Sequence, residues 1–399
     1  MKNVIFISPN FPTNYWQFCK ELKNNGMNVL GIGDQPYDEL SRDLKDSLNE
    51  YYKVGSLENY DEVYRAVAFF AFKYGKIDWL ESNNEYWLER DAMLRTDFNI
   101  NTGWHTDEMH KIKYKSAMKP YYEKVGIPVA KYTLVTDYDA CMKFIGEVGY
   151  PVIVKPDNGV GASSTYRFKN DQDVQYFFAT KDNSVQYIME QYIDGTVHTY
   201  DAIINSKGEP LFETGNVTVT SLMDVVNTGD NSLYYIEKNL PEKMREAGRK
   251  TVASFGVKSR FVHLEYFVLN SDHAGLGKAG DVIALEVNMR PSGGFSPDMF
   301  NFANSTDVYQ IWADMIAFDS SPLAAGDRAH YYCAFCGRRD GKNFVMDHNA
   351  IMAKYGSGMK MAERIPEALS GAMANMMYLC NFDSYEAMQT YYSDLCATH

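Results

Sequence analysis

The sequence predicts an α/β and α+β protein: an N-terminal unit built on a parallel sheet, a strand-rich middle, and a small C-terminal α+β lobe. Three observations carry this reading. Short apolar, β-branched runs alternate with helical periodicity from the N-terminus to Gly103. From Thr199 to Thr220 hairpins dominate, with Asn205-Ser-Lys-Gly208 as a turn. Residues 321–399 mix helical and strand patterns in short stretches.

Residues 4–7 form the first strand, and 9–14 carry turn chemistry. Residues 15–24 place Tyr15, Trp16, Phe18, Cys19 and Leu22 at helical spacing, Asn25-Gly26 stops that helix, and 29–32 begins a second strand. Such a βαβ unit implies a parallel sheet. Gly31 and Gly33 follow the second strand and the first turn lacks GxGxxG, which argues against a dinucleotide site. A helix at 60–74, a strand at 77–81 and a helix at 85–98 continue the alternation. A basic helix over 111–124 then stops at Val125-Gly126-Ile127-Pro128. Strands are expected at 131–135, 152–154 and 187–189, with a helix at 137–148 between the first two. A helix at 241–255 precedes strands at 261–269 and 282–287, and another helix covers 307–318. No internal repeat or low-complexity tract interrupts this order.

Composition narrows the partners. There are 39 basic and 52 acidic residues in 399, a formal net charge of −13. Such a chain repels nucleic acid and anionic membranes in general, while leaving room for a local basic phosphate site. No apolar run reaches the length of a membrane span, and the N-terminus lacks the pattern of a signal peptide. The six scattered cysteines fit reduced thiols in a cytoplasmic protein. Cys333-Ala-Phe-Cys336 has metal or redox spacing, but no second pair completes it, and both are read as residues of one strand.

The strongest chemical constellation is Glu265 on one strand and Glu286-Val-Asn288-Met-Arg290 on the next. Alternation along a strand puts Glu286, Asn288 and Arg290 on one face, and a hairpin would set Glu265 beside Glu286. Two carboxylates and an amide oxygen are hard ligands suited to magnesium, and the arginine could neutralise phosphate oxygens held there. A second element is Tyr150-Pro-Val-Ile-Val-Lys155-Pro-Asp-Asn-Gly159-Val-Gly161-Ala-Ser163-Ser164. A lysine ending a buried strand needs an anion, and glycines with serines after it can fold over phosphates. The third element, Tyr187-Ile-Met-Glu190-Gln-Tyr192-Ile193-Asp-Gly195, offers an acidic residue and extended backbone to a purine edge.

In this order the three elements resemble the ATP-grasp superfamily, most closely its carboxylate–amine ligase branch with a carbamoyl-phosphate-synthetase-like or biotin-carboxylase-like nucleotide fold. The resemblance spans roughly residues 1–320 and is strongest from Lys111 to Gly294. It implies a pre-ATP-grasp domain at 1–110, an ATP-grasp domain at 111–320 with a mobile lid at about 128–194, and a C-terminal lobe at 321–399. The two lobes of the ATP-grasp domain would clamp ATP. The resemblance further implies that Lys115 and Lys155 meet ATP phosphates, under a loop carrying Gly159, Gly161, Ser163 and Ser164. Glu190 with the backbone of Tyr192 and Ile193 would hold adenine. Glu265, Glu286 and Asn288 would bind magnesium, with manganese as an alternative, and Arg290 would steady the transferred phosphate. Lys115 fits the family pattern better than Lys111 or Lys113. One departure concerns ribose: Val197 stands where many relatives have a glutamate, leaving His198 or a more distant group for that contact.

The activity implied is an ATP-dependent, ADP-forming ligation of a small carboxylate to an amine, amino-acid or peptide-like, through an acylphosphate. Two alternatives stand beside it: a bicarbonate-phosphorylating carboxylase or carbamoyl-phosphate-type synthetase, and a nucleotide-binding protein without turnover. Ser292, Gly293 and Gly294 are expected to border the acceptor site, with Glu213 and Asn216 as candidates for the second substrate. The expected partners are small molecules, with a homodimer allowed for.

Overall fold

Four short strands open the chain as a parallel sheet: β1 (Asn3–Ile7), β2 (Asn28–Gly33), β3 (Glu50–Lys53) and β4 (Trp79–Glu81), in the order β3-β2-β1-β4. The computed structural model describes residues 1–159, 164–221, 225 and 229–399. All of β1 is buried, as a strand covered on both faces must be. Its side chains alternate between two cores. Val4 and Phe6 meet Phe18 from the helix Trp16–Asn24, while Ile5 and Ile7 meet Val63, Val67 and Phe70 from the helix Tyr60–Tyr74. The expected helix at 85–98 opens as a 3-10 turn, Glu85–Trp87, and becomes α-helical over Leu88–Asp97. The short helix Arg42–Ser47 and β3 are additions to the pattern expected from sequence.

A second sheet is antiparallel and contains β5 (Tyr132–Leu134), β6 (Val152–Pro156), β7 (Tyr166–Phe168) and β8 (Tyr187–Gln191), in the order β5-β8-β6-β7. The helices Tyr138–Val148 and Asp171–Thr180 bury Phe144, Ile145, Val174 and Phe177 against Val152, Val154 and Met189. That packing leaves Lys155 and Glu190 on the opposite face.

The third sheet has nine strands: β9 (Gly195–Ile204), β10 (Pro210–Thr214), β11 (Asn216–Thr218), β12 (Ser232–Ile236), β13 (Arg260–Leu269), β14 (Val282–Asn288), β15 (Tyr332–Arg338), β16 (Met359–Arg364) and β17 (Met376–Phe382). Its path is β14-β13-β9-β11-β12-β15-β17-β16, with β10 paired to β9. The strands of residues 321–399 thus extend this sheet through the β12–β15 pairing. The helix Glu242–Phe255 packs on β9 and brings Gly248 against the buried ring of Tyr200. The helix Val308–Phe318 ties the sheet to the N-terminal unit, with the Trp312 ring 5.0 Å from Phe18. The six cysteines are free, Cys333 and Cys336 lying buried in β15. Among the described residues, no helix is long and apolar enough to cross a membrane.

Candidate active site

In the β13–β14 hairpin Glu265 stands directly opposite Glu286, and His263 opposite Asn288. Across the other edge of β13, Thr199 and Asp201 of β9 pair with Glu265 and His263. Strand alternation therefore gathers Thr199, Asp201, His263, Glu265, Glu286 and Asn288 on one face. His263 Nδ1 lies 2.8 Å from Asp201 Oδ1 and its Nε2 lies 3.0 Å from Glu265 Oε1. Burial pulls its pKa down, but the two carboxylates outweigh burial and raise it to about 9. Thr199 Oγ1 donates to Asp201 and accepts from the Asn216 backbone N–H at 3.0 Å, which extends the network to β11.

Burial would raise the Glu286 pKa, yet the charges of Lys115, Lys155 and Arg290 hold it below the usual carboxylate value. Asn288 is buried, and its Nδ2 has no hydrogen-bond partner. Among the described residues, no cluster of three or more His, Cys, Asp or Glu side chains could hold a metal ion by itself. Glu265, Glu286 and Asn288 instead make a partial set of hard oxygen donors. That set suits magnesium, which keeps water and phosphate oxygens in its remaining positions.

The facing wall comes from the second sheet and from the helix Lys115–Glu123. Glu190 sits opposite Ile153, so Lys155, two residues further along β6, shares its face. Its carboxylate bridges two lysines, with Oε2 2.7 Å from Lys155 Nζ and Oε1 2.5 Å from Lys119 Nζ. Lys115 Nζ lies 3.5 Å from Glu286 Oε2 and donates to the Gly159 carbonyl at 3.2 Å. The start of that helix is pinned by Asp157, which accepts from the Ser116 N–H at 2.8 Å and the Ser116 hydroxyl at 2.7 Å. Ser164 is exposed with φ 60°. Gly161 and Ser163 lie outside the described residues.

Below this wall, Ile193 is buried with Ala130, Leu269 and Ile283, and the Arg167 guanidinium stacks 4.3 Å from the Tyr192 ring. His198 pairs with Tyr266, so it projects from the face opposite Val197 and Thr199. Burial depresses its pKa to about 4, leaving it neutral at pH 7. It is not placed to replace a ribose ligand on the Val197 face.

Arg290 follows β14. Its Nη1 donates to the Pro291 carbonyl at 2.9 Å, its Nη2 reaches Asn288 Oδ1 at 3.4 Å, and its Nε lies 3.3 Å from Glu85 Oε2. Glu85 Oε1 is 2.6 Å from Lys113 Nζ. Ser292, Gly293 and Gly294 lead on to the helix Ser296–Asn304, and the Gly294 carbonyl accepts from Asn14 Nδ2 at 3.1 Å. Asn216 joins the site face through Thr199, and its Oδ1 is buried without a partner.

Glu213 does not join. It pairs with Ala202 on the other face, accepting from the Tyr200 hydroxyl at 2.6 Å and from Arg249 Nε and Nη2 at 2.8 and 2.5 Å. Sequence reading missed Lys119, Asp157, Asp201, His263 and Glu85. Helical spacing from Lys115 could have found Lys119, and strand spacing from Glu265 could have found His263. No local signal connects Glu85 to Arg290.

Residues 111–294 match the ATP-grasp domain. An L-arginine-specific L-amino acid ligase from Bacillus subtilis is 24% identical over 291 residues, covering 71% of this chain and 67% of the relative. The crystal structure of an L-amino acid ligase from Bacillus licheniformis is similar at TM-score 0.71 and 15% identity, covering 98% of this chain and 96% of that one. A biotin carboxylase–β-γ-ATP complex from Campylobacter jejuni is similar at TM-score 0.68 and 16% identity, covering 99% of this chain and 91% of that one.

Proposed function

We infer that this chain, with an ATP-grasp domain over residues 111–294, is an ATP-dependent, ADP-forming ligase that joins a carboxylate to an amine. One observation carries the reading: the Glu265–Glu286 pair, with Asn288 and Arg290 beside it, faces the buried Lys115 and the half-buried Lys155. A carboxylate oxygen is a poor leaving group, and phosphorylation by ATP turns it into a good one. The substrate carboxylate attacks the γ-phosphate, ADP leaves, and an amine then displaces inorganic phosphate from the acylphosphate. The protein's part in this is charge neutralisation and positioning.

Lys115 and Lys155 would meet the phosphates, whose oxygens would add to the partners they now have in Glu190, Glu286 and the Gly159 carbonyl. Glu265, Glu286 and Asn288 would hold magnesium, which when bound offsets the negative charge of the β- and γ-phosphates. Arg290 would face the transferred phosphoryl group. The Glu190 carboxylate is committed to Lys119 and Lys155, so adenine would find its partners in the backbone from Gln191 to Ile193. Ser292, Gly293 and Gly294 border the acceptor, with Asn216 nearby. The division at 110 and 320, and a lid at about 128–194, belong to this proposal. So do amino-acid or peptide-like substrates, a cytoplasmic setting and a homodimer.

The test is ADP release by purified protein with magnesium-ATP and pairwise mixtures of amino acids, dipeptides and small organic acids. Release that requires both a carboxylate and an amine is expected. Release with bicarbonate alone would move the reading to carboxyphosphate formation, and none with any mixture would overturn catalysis.

A further inference from the structure

We propose that Glu85 is a positioning residue for Arg290, by which the N-terminal parallel sheet sets the direction of the phosphate-facing guanidinium. The inference rests on the reading above for what Arg290 faces, and on geometry for everything else. A guanidinium has five N–H donors in a fixed fork. In the structure, Nη1 donates once to Pro291, Nη2 points one N–H toward Asn288, and Nε forms an ion pair with Glu85 Oε2 at 3.3 Å that is not aligned as a hydrogen bond. One N–H on each terminal nitrogen remains. Each can donate to a phosphoryl oxygen.

Glu85 can hold Nε without competing for those two donors, because Lys113 Nζ occupies its other oxygen at 2.6 Å. A carboxylate free at both oxygens would take the guanidinium fork itself. Glu85 is in turn held by the strand end that carries it. Asn83 sits at φ 54°, a left-handed conformation that asparagine tolerates, and its carbonyl accepts from the buried Tyr15 hydroxyl at 2.8 Å. The Asn84 side chain caps the 3-10 turn by accepting from the Tyr86 N–H at 3.1 Å. Asn14 straps the far side of the same segment through the Gly294 carbonyl at 3.1 Å. The chain from Arg290 to Gly294 therefore meets two loops of the N-terminal unit, at Glu85 and at Asn14.

The test uses the full chain as wild type, Glu85→Gln, Glu85→Asp, Arg290→Lys and the Glu85→Gln/Arg290→Lys double variant. Hydrogen exchange of the Arg290 Nε–H, assigned by nitrogen NMR through its loss in Arg290→Lys, reads the contact without any turnover. Exchange should quicken several-fold in Glu85→Gln, where the neighbouring negative charge is lost, and lie between the two in Glu85→Asp, which keeps the charge one methylene further back. In the ADP-release assay with magnesium-ATP and an amino-acid mixture, Glu85→Gln should lower kcat by a similar factor. The KM for ATP should stay within about two-fold, and little should be added on top of Arg290→Lys. Unchanged Nε–H exchange in Glu85→Gln overturns the proposal, as do effects that multiply in the double variant. A wild type that releases no ADP sinks the ligase reading instead, and the exchange measurement then decides the positioning role alone.

Discussion

Glu190 shows how single residues carry the charge balance of the site. Burial alone would push its carboxyl pKa up, yet Lys119 and Lys155 hold it at about 2. A carboxyl that binds its proton less readily in the folded state than in the unfolded chain stabilises the fold while it is ionised. That contribution is complete above about pH 4.5, the ordinary value, and fades as the pH falls toward 2. Glu190→Gln is therefore expected to cost about 3 kcal/mol near neutral pH, because two buried lysines lose their counter-charge. The cost should shrink between pH 4.5 and pH 3. Urea unfolding of both proteins across this range checks it, and a constant difference would remove the ion triad as its source. The residue scale also shows what the sequence could disclose. Lys155 was legible because a lysine ending an apolar strand demands an anion. Lys119 lies four residues after Lys115 on the same helix, yet nothing local reveals the acid it meets. Glu85 and Arg290 come together only through the packing of two distant units.

Elements are held by shape as much as by charge, and the helix Glu242–Phe255 is the clearest case. A Cβ on Gly248 would lie 2.1 Å from Cγ of Tyr200. That ring is fully buried and its hydroxyl is tied to Glu213, so it has nowhere to move. Alanine favours a helix interior over glycine by about 1 kcal/mol. Overpacking of this severity outweighs that gain, and Gly248→Ala is expected to lower stability by about 3 kcal/mol or more. Gly371, in the helix Glu367–Met373, has no atom within 4 Å of the added Cβ, and Gly371→Ala should instead stabilise by about 0.5–1 kcal/mol. Thermal melts of the two variants should move in opposite directions, and a Gly248→Ala melting point at or above wild type would contradict the packing argument. Elements with a strong apolar frame, such as β13 and β14, were legible in the sequence. The three-residue β7, Tyr-Arg-Phe, is too short to show alternation, and β3 is a partly exposed edge. The pairing of β12 with β15, which carries the sheet into residues 321–399, spans the intervening chain, and no local pattern encodes it.

At the scale of the whole molecule, the groups proposed to grip ATP lie on separate sheets. Lys155 and Glu190 belong to the second sheet, whereas Glu265, Glu286 and Asn288 belong to the third. Between them, β8 runs on toward β9, Val129 bridges to Ala284, Ile193 packs against Leu269 and Ile283, Asn270 bonds Asp194, and Lys115 reaches Glu286. A nucleotide whose phosphates meet the lysines, and whose metal meets the glutamates, would therefore fasten one sheet to the other. Binding restricted to the folded chain stabilises it by mass action, about 2.7 kcal/mol when ligand exceeds its Kd a hundred-fold. The expected result is a rise in melting temperature with magnesium-ATP that is largely lost when EDTA removes the metal. Glu286→Gln keeps the shape of the side chain but removes the charge that faces both Lys115 and the metal. It should abolish ADP formation and the magnesium-dependent part of the rise, and it should also lower the melting temperature without nucleotide, because Lys115, Lys155 and Arg290 lose its counter-charge. Lys155→Met should weaken the response to ATP with or without metal, because its charge acts on phosphate directly. If Glu286→Gln responded to magnesium-ATP as strongly as wild type, the metal would have to be held elsewhere. The face shared by β13 and β14 would then lose its place as the anchor of the clamp.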